Sequence, residues 1–311
     1  MKILIFGAGG VGSVVGGFLA RMGHEVSLLG RAWHLDAVRK DGLTISGIWG
    51  DYRIKAFDLY TDPCAISKPD FDLVILTVKA FDTLKASEEL PRLMSDRTML
   101  LSLQNGLGNA ETLLHKISPE QLLMGRVIFG VEVSPGKVKV TVSADDVAVG
   151  ALPGASPKLS PERMAATLAH AKIPAKAVPD IFTVIWAKVI YNCALNGLCS
   201  IHEIPYGKIL ENEATLSAMK EVVRECYTVA AKKGVSLEPS TADAYIDLLI
   251  NRLIPPTAAH LPSMLQDLRK GKPTDIDSLN GAICALGDQL GVATPQNLKI
   301  REAIISRTAS S

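Results

Sequence analysis

Three polar side chains recur at a four-residue step within an otherwise apolar segment of the chain. Lys188, Asn192 and Asn196 lie in the run DIFTVIWAKVIYNCALNGL, which covers residues 180–198. On a helix with about 100° per residue, a four-residue step drifts by only about 40°, so the three side chains form one stripe. An ammonium group and two amides can together hold a carboxylate and a carbonyl oxygen. We therefore predict a helix that binds a ligand through this stripe.

Two alternatives are open for this segment. A buried lysine can be paired with a carboxylate and have no role in function. A membrane-spanning helix fits the length, but a lysine near its centre would cost about 2.5 to 3.5 kcal/mol, and the asparagines add to that cost. The ligand-binding interpretation accounts for all three polar side chains.

The chain begins with a glycine-rich loop between a predicted strand and a predicted helix. The apolar run at 2–6 leads directly into GAGGVG at 7–12, and an apolar helix follows. In this order, GxGxxG binds the pyrophosphate of a dinucleotide on amides at the helix N-terminus. Gly7 allows the tight turn, Gly9 the approach of the pyrophosphate and Gly12 the packing of helix on strand. The predicted cofactor contacts are Gly7, Ala8, Gly9, Gly10, Val11 and Gly12.

Arg31 indicates which nicotinamide cofactor binds. The second predicted strand, at 24–29, ends at Gly30-Arg31 and lacks the Asp or Glu that NAD-binding sites use to accept the ribose hydroxyls. An arginine here presents a fixed cationic fork to a 2′-phosphate. The alternative is a solvated arginine that opens the next helix. We predict NADP(H), with Arg31 on its 2′-phosphate.

Two further polar residues follow predicted buried strands. Lys79 comes directly after FDLVILTV at 71–78, and Asn105 follows TMLLSL at 98–103. Ligands of open α/β sheets bind at the carboxyl ends of the strands. We therefore predict that Lys79 and Asn105 contact the cofactor. The alternatives are a simple exposed lysine and a turn residue before glycine.

Strand patterns stop at Pro179, and the rest of the chain shows helical patterns. The predicted fold class is α/β: an N-terminal Rossmann-type doubly wound sheet in residues 1–179, followed by an all-α C-terminal domain in residues 180–311. An alternating run at 41–58 predicts a hairpin added to that sheet. Strands predicted near 121–129, 137–142 and 146–150 complete it.

Composition and charge exclude several classes of protein. The 311 residues carry a formal net charge of +1, which leaves no excess of positive charge for nucleic acid or an anionic membrane. The five cysteines lack CxxC spacing, which predicts reduced thiols in a cytoplasmic protein. No cluster of His and Cys has zinc-site spacing, so no metal is predicted. The glycine spacing at 7–12 argues against a targeting segment. A monomer and a homodimer are both compatible with the sequence.

Taken together, these residues resemble the ketopantoate reductase family over nearly the whole chain. The first half contributes GAGGVG at 7–12, Arg31, TVKA at 77–80 and QNG at 104–106. The second half contributes WAKVIYNCALN at 186–196, SMLQD at 263–267 and TDID at 274–277. Many dinucleotide enzymes share the glycine loop, whereas the lysine and two asparagines followed by the last two motifs are much more specific.

The resemblance implies a reaction and roles for individual residues. The family reduces a 2-keto acid, ketopantoate, to an (R)-2-hydroxy acid with NADPH on the route to pantothenate and coenzyme A. The position of Lys188 implies the general acid, and those of Lys79 and Asn105 imply contacts with the cofactor near the nicotinamide. The implied substrate-binding residues are Asn105, Asn192, Asn196, Ser263 and Asp275, and Asp275 is also implied in catalysis.

The chain departs from the family at three positions. Asp275 stands where glutamate is usual, which retracts the carboxylate by about 1.5 Å, and helix capping is its alternative role. Gly197 stands where proline is common, and Tyr206 where some members have asparagine. Two other functions stay open: a reductase of a different 2-keto acid on the same scaffold, and an NADP(H)-binding sensor without catalysis.

Overall fold

A computed structural model of the chain describes residues 1–309, which form two compact units. The first unit contains Met1–Asn105 and Asn109–Ile181, and the second contains Gly106–Gly108 together with the chain from Phe182 onward. The chain leaves the first unit at Ile181, beside the boundary predicted after residue 179.

The β-strands of residues 1–309 all belong to the first unit. In chain order they are β1 (Lys2–Phe6), β2 (Glu25–Leu29), β3 (Leu43–Gly47), β4 (Tyr52–Ile54), β5 (Asp58–Tyr60), β6 (Leu73–Leu76), β7 (Met99–Ser102), β8 (Leu122–Arg126), β9 (Phe129–Ser134), β10 (Lys137–Ser143), β11 (Val147–Ala151) and β12 (Ala175–Ala177). The helices of this unit are α1 (Gly10–Arg21), α2 (Ala32–Asp41), α3 (Thr83–Leu93), α4 (Asn109–Leu114) and α5 (Pro161–His170).

Eight strands form the main sheet, in the order β12-β11-β8-β7-β6-β1-β2-β5. From β8 to β5 neighbouring strands are parallel, whereas β11 runs antiparallel to β8. Consecutive residues of β1 and β6, which point to opposite faces, are fully buried, so the sheet is covered on both faces: Ile3, Leu4, Ile5, Leu73, Val74 and Ile75. The strands β7, β6, β1 and β2 therefore end side by side at one carboxyl edge, where ligands bind such sheets.

The remaining strands form a separate sheet, in the order β4-β3-β10-β9. The prediction that 41–58 and 137–142 join the main sheet is therefore wrong. The alternation in β3 buries Leu43 and Ile45, and a Cβ added to Gly17 of α1 would lie 2.5 Å from the Cδ1 of Ile45. An alternating pattern indicates that one face of a strand is buried, but it does not identify the element that covers that face.

Helix α1 packs against both sheets. A Cβ added to Gly16 would lie 2.8 Å from the Cγ1 of Ile5 in β1, and one added to Gly10 would lie 3.1 Å from the Cβ of Val131 in β9. Glycine at these positions lets the helix backbone approach both sheets closely. The first turn of α1, which follows the glycine loop, is thereby held from two sides.

The second unit is built from helices. They are α6 (Ile181–His202), α7 (Glu213–Lys233), α8 (Ala242–Leu248), α9 (Ser263–Arg269), α10 (Asn280–Leu290) and α11 (Pro295–Ala309). The predicted fold class, an α/β sheet unit followed by a helical unit, is confirmed.

Helix α6 carries the predicted ligand-binding stripe and is the apolar centre of the second unit. Trp186, Ile190 and Cys193 are buried, and so is 61% of the 18-residue segment of α6 that is apolar enough to span a membrane. By length and composition alone the helix could cross a membrane, but this burial is typical of a core helix. At Gly197 an added Cβ would overlap the Cγ2 of Ile300 in α11. The packing of α6 against α11 therefore favours glycine at this position.

Candidate functional site

The glycine loop makes a tight turn between β1 and α1. Gly7 has a φ of 111°, which favours glycine, and a Cβ there would lie 2.6 Å from the backbone nitrogen of Val78. The Thr77 hydroxyl donates a 2.7 Å hydrogen bond to the Gly7 carbonyl, which ties the loop to the end of β6. At Gly9 the nearest atom to an added Cβ is 3.9 Å away, so space beside the loop is open. This geometry allows a pyrophosphate to approach the backbone.

The first turn of α1 supplies amides that suit an anion. The helix begins at Gly10 with Gly9 as its N-cap, and the Ser13 amide donates to the Gly9 carbonyl at 2.9 Å. The amides of Gly10, Val11 and Gly12 precede that bond and lie at the positive end of the helix dipole. Such a terminus binds anions, phosphate groups among them.

Arg31 directly follows the turn after β2 and is the N-cap of α2. Its side chain is 70% exposed, and its Nη2 lies 3.7 Å from the Oδ2 of Asp82. Exposed ion pairs contribute about 0 to 1 kcal/mol, so the guanidinium can readily exchange this partner for a phosphate. Because β1 and β2 are neighbours, Arg31 and the glycine loop lie at the same edge of the sheet.

Lys79 and Asn105 follow β6 and β7, the next two strands along that edge. Lys79 is half-buried and Asn105 is exposed. With the glycine loop after β1 and Arg31 after β2, they occupy the ends of four consecutive strands. The structure thus brings the predicted cofactor-binding residues to one edge of the main sheet.

A buried glutamine, which sequence reasoning missed, fixes the segments after β6 and β7. Gln104 donates from Nε2 to the Val78 carbonyl at 3.2 Å and to the Thr83 hydroxyl at 2.7 Å. That hydroxyl donates to the Oδ1 of Asn109, and the Nδ2 of Asn109 donates to the Asn105 carbonyl at 2.9 Å. The QNG motif was the signal in the sequence that could have indicated this network.

His34 is a second buried polar residue that sequence reasoning missed. Its Nε2 lies 3.0 Å from the hydroxyl of Ser13 in α1, and its Nδ1 lies 3.2 Å from the Ser134 carbonyl and 3.3 Å from the Gly136 nitrogen. Burial lowers the pKa of His34 and thereby favours the neutral ring. The hydrogen bond to Ser134 acts in the opposite direction but is the smaller effect. The imidazole fixes the first turns of α1 against the turn between β9 and β10. Its partners are distant in sequence, so no local pattern indicates them.

On α6 the three polar side chains of the stripe lie on successive turns. Lys188 and Asn192 are half-buried, and Asn196 is only 5% exposed. The buried Tyr206 donates a 2.6 Å hydrogen bond from its hydroxyl to the Oδ1 of Asn196. Burial raises the pKa of Tyr206 well above its ordinary value, so this hydroxyl stays protonated at neutral pH.

Ser263 and Asp275 lie on separate elements of the second unit. Ser263 is the exposed first residue of α9, and Asp275 is half-buried before the 3-10 turn Ile276–Ser278. Asp275 occupies the N-cap position of this turn, as its alternative role predicts, but within the described chain its side chain makes no capping hydrogen bond. Its backbone carbonyl accepts instead from the Ser278 hydroxyl at 3.0 Å.

The loop Gly106–Gly108 is attached to the same turn. The Leu107 amide donates to the Ser278 carbonyl at 2.9 Å, and a Cβ added to Gly106 would lie 2.5 Å from the Cβ of Ser278. Gly106 has a φ of 88°, so both its conformation and its close approach favour glycine.

The two units carry different polar groups. The edge of the main sheet offers a cradle for an anion and a guanidinium group, and α6 offers a cation and two amides. Among residues 1–309 no group of three or more His, Cys, Asp or Glu residues could hold a metal ion. The chemistry that these groups support is binding of a nucleotide and of an acidic, oxygen-rich ligand.

Comparison with protein families gives matches in both units. The family described as "Ketopantoate reductase PanE/ApbA" matches residues 3–154, and its C-terminal counterpart matches residues 180–307. The 2-dehydropantoate 2-reductase of Aquifex aeolicus is 37% identical over 300 residues, which cover 96% of this chain and 94% of the relative.

Solved structures agree with these matches. A PanE/ApbA family ketopantoate reductase from Ralstonia eutropha superposes with a TM-score of 0.88 at 32% identity, covering 100% of this chain and 99% of the other. D-mandelate dehydrogenase in a ternary structure with NADH and anilino(oxo)acetate superposes with a TM-score of 0.88 at 28% identity and the same coverage. The resemblance that the motifs indicated is confirmed.

Proposed function

Because the chain belongs to the ketopantoate reductase family, we propose that it is an NADPH-dependent 2-dehydropantoate 2-reductase. It would reduce ketopantoate to (R)-pantoate for pantothenate and coenzyme A synthesis, in the cytoplasm, as a monomer or a homodimer. The observation that carries this proposal is that a relative with this activity in its name matches nearly the full length of the chain.

The residues at the carboxyl edge of the main sheet fit NADPH. The open space beside Gly9 and the amides of α1 suit the pyrophosphate, and Arg31 suits the 2′-phosphate. We assign to Lys79 and Asn105 contacts with the nicotinamide half of the cofactor. When bound, NADPH supplies the hydride that reduces the keto carbon.

We assign the proton to Lys188. Reduction of a ketone leaves negative charge on its oxygen, and an ammonium group beside that oxygen stabilises the charge and donates a proton from Nζ. The stabilisation acts mainly in the transition state, because the ketone itself carries little charge. The neighbouring Ile185 and Val189 are buried, so Lys188 is presented by an ordered core helix, which suits a catalytic group.

The other polar residues would hold the substrate. Asn192, Asn196 and Ser263 supply directional hydrogen bonds without adding charge. The carboxylate of Asp275 is suited to accept a hydrogen bond from a substrate hydroxyl, and Asn105 is assigned to both substrate and cofactor.

The proposal is tested by NADPH oxidation with the purified protein. Ketopantoate is compared with pyruvate, 2-ketoisovalerate and benzoylformate, and each assay is repeated with NADH. We expect the highest kcat/KM with ketopantoate and NADPH. NADPH binding without turnover of any keto acid would instead indicate a nucleotide sensor.

A second candidate is a reductase of a different 2-keto acid. One observation favours it: the D-mandelate dehydrogenase that shares this fold was solved with an aromatic oxoacetate. Activity confined to benzoylformate or another acid in the same panel would establish this alternative and leave the assignment of Lys188 in place.

A further inference from the structure

Tyr206 and Asn196 form a buried hydrogen bond beside the polar stripe of α6. The Tyr206 hydroxyl donates to the Oδ1 of Asn196 at 2.6 Å, and the two residues are only 4% and 5% exposed. Tyr206 lies in the 3-10 turn Tyr206–Glu211, outside α6. A residue beyond the helix therefore determines the orientation of one of its stripe side chains.

The position of Tyr206 is fixed on several sides. Its backbone amide donates to the His260 carbonyl at 3.1 Å, and its ring packs 5.2 Å from the imidazole of His260. The ring of Tyr191 meets it edge-on, with centroids 5.8 Å apart. The next residue, Gly207, donates to the Ala258 carbonyl at 2.9 Å. The phenol is thus a rigid donor, and a rigid donor can orient a partner amide.

An asparagine side chain presents either an acceptor or two donors, depending on how its amide is turned. The Tyr206 hydroxyl bonds to Oδ1, and within residues 1–309 Asn196 makes no other side-chain hydrogen bond, so its Nδ2 hydrogens are available to a ligand. We propose that Tyr206 is a positioning residue for substrate binding: it holds the Asn196 amide so that Nδ2 donates to the carboxylate of the 2-keto acid. This inference rests on the proposed function, to which it adds one contact: that between Asn196 and the substrate carboxylate.

The first test is Tyr206→Phe, which removes only the hydroxyl. Without it the amide can turn its oxygen toward the substrate carboxylate, so we expect KM for the keto acid to rise about five- to tenfold. We expect kcat to change by less than about twofold, because no reacting group is lost. The KM of a neutral ester of the same keto acid should stay within about twofold. A merely structural defect would weaken both substrates and NADPH binding alike.

Tyr191→Phe is the matched control. Its hydroxyl bonds to Thr257 at 3.1 Å and does not reach Asn196, and its ring remains to pack against Tyr206. This variant should keep the wild-type KM. An equal rise in KM for both variants would overturn the proposal.

A double-mutant cycle with Asn196→Ala tests whether Tyr206 acts through Asn196. Once the amide is gone, Tyr206→Phe should raise KM by no further factor, whereas independent effects would multiply. If the effects of the two substitutions on KM multiply, or if Asn196→Ala keeps the wild-type KM, the proposal is overturned. Absence of turnover on every keto acid by the wild-type protein would instead refute the proposed function, so the two failures are distinguishable.

Discussion

Asp82 holds its carboxylate 3.7 Å from the guanidinium of Arg31, at the edge of the sheet that carries the glycine loop. With side chains 42% and 70% exposed, the pair contributes little to stability. The location of the pair matters more for cofactor binding, because a 2′-phosphate bound to Arg31 would lie close to the negative charge of Asp82. We therefore expect Arg31 and Asp82 to have opposite effects on the preference for NADPH over NADH.

Asp82→Asn should strengthen NADPH binding. The repulsion between two solvated charges a few ångströms apart is worth about 1 kcal/mol or less, so we expect the Kd for NADPH to fall about two- to fivefold. The Kd for NADH, which lacks the 2′-phosphate, should stay nearly constant. Fluorescence titration with both cofactors measures the ratio, and Asp36→Asn, in the exposed Asp36–Arg39 pair of α2, is the control. A parallel change for both cofactors would contradict the prediction.

Arg31→Glu should have the reverse effect. The KM for NADPH is expected to rise much more than that for NADH, because the variant replaces an attractive charge with a repulsive one at the 2′-phosphate. Steady-state kinetics with each cofactor at saturating keto acid provides the comparison. Equal effects on both cofactors would remove Arg31 from 2′-phosphate recognition.

Lys188→Ala should lower kcat by about 10² or more, because the alkoxide would lose its proton donor. Binding of NADPH should be unchanged. Lys208→Ala is the control, since Lys208 is exposed and paired with Glu211 in the same unit. If Lys188→Ala turns over at the wild-type rate, Lys188 is not the general acid.

The glycine loop could be predicted from sequence because its determinants are local. Gly7, Gly9 and Gly12 lie within six consecutive residues, and the strand and helix that contain or flank them have strong patterns of their own. The stripe on α6 was visible for the same reason, since a four-residue step on a helix defines a face.

Contacts between distant segments were not predictable in the same way. The alternation in β3 was recognised, but the sheet it joins depends on α1 and β10, to which no local pattern points. The bond from Tyr206 to Asn196 depends on how the chain returns after α6. Gly197, a departure from the family at the level of sequence, is explained by Ile300, about a hundred residues further along the chain.

Gly197→Ala should destabilise the second unit. The added Cβ would overlap the Cγ2 of Ile300, and overpacking of this kind costs about 1 to 3 kcal/mol, partly offset by about 1 kcal/mol of helix propensity. Urea unfolding measures the loss. In the double variant with Ile300→Ala the cost of Gly197→Ala should disappear, because the overlapping methyl group is absent. Additive losses would refute the packing explanation.

Arg126 and Asp145 provide a test in the first unit. The side chain of Arg126 is 6% exposed, its Nη2 donates to Asp145 at 2.7 Å, and Lys176 donates to the same carboxylate at 2.8 Å. Burial of Asp145 would raise its pKa, but the hydrogen bonds from Lys176 and Arg126 outweigh burial and lower the pKa from 3.8 to about 2. The buried arginine therefore depends on an ionised partner.

Asp145→Asn should lower the free energy of unfolding at neutral pH by about 1 to 3 kcal/mol, at the lower end because the carboxylate is partly solvated. A carboxyl with a depressed folded pKa contributes its full stabilisation above its unfolded pKa and loses it as pH falls through the folded value. The difference in free energy of unfolding between the wild type and Asp145→Asn should therefore be constant above about pH 5. It should become smaller as the pH falls from 3.8 toward about 2. Lys176→Ala, which removes an exposed partner, should cost less than about 1 kcal/mol. Urea unfolding across this pH range measures both, and a difference that does not narrow with acid would show that the Asp145 charge is not what stabilises Arg126.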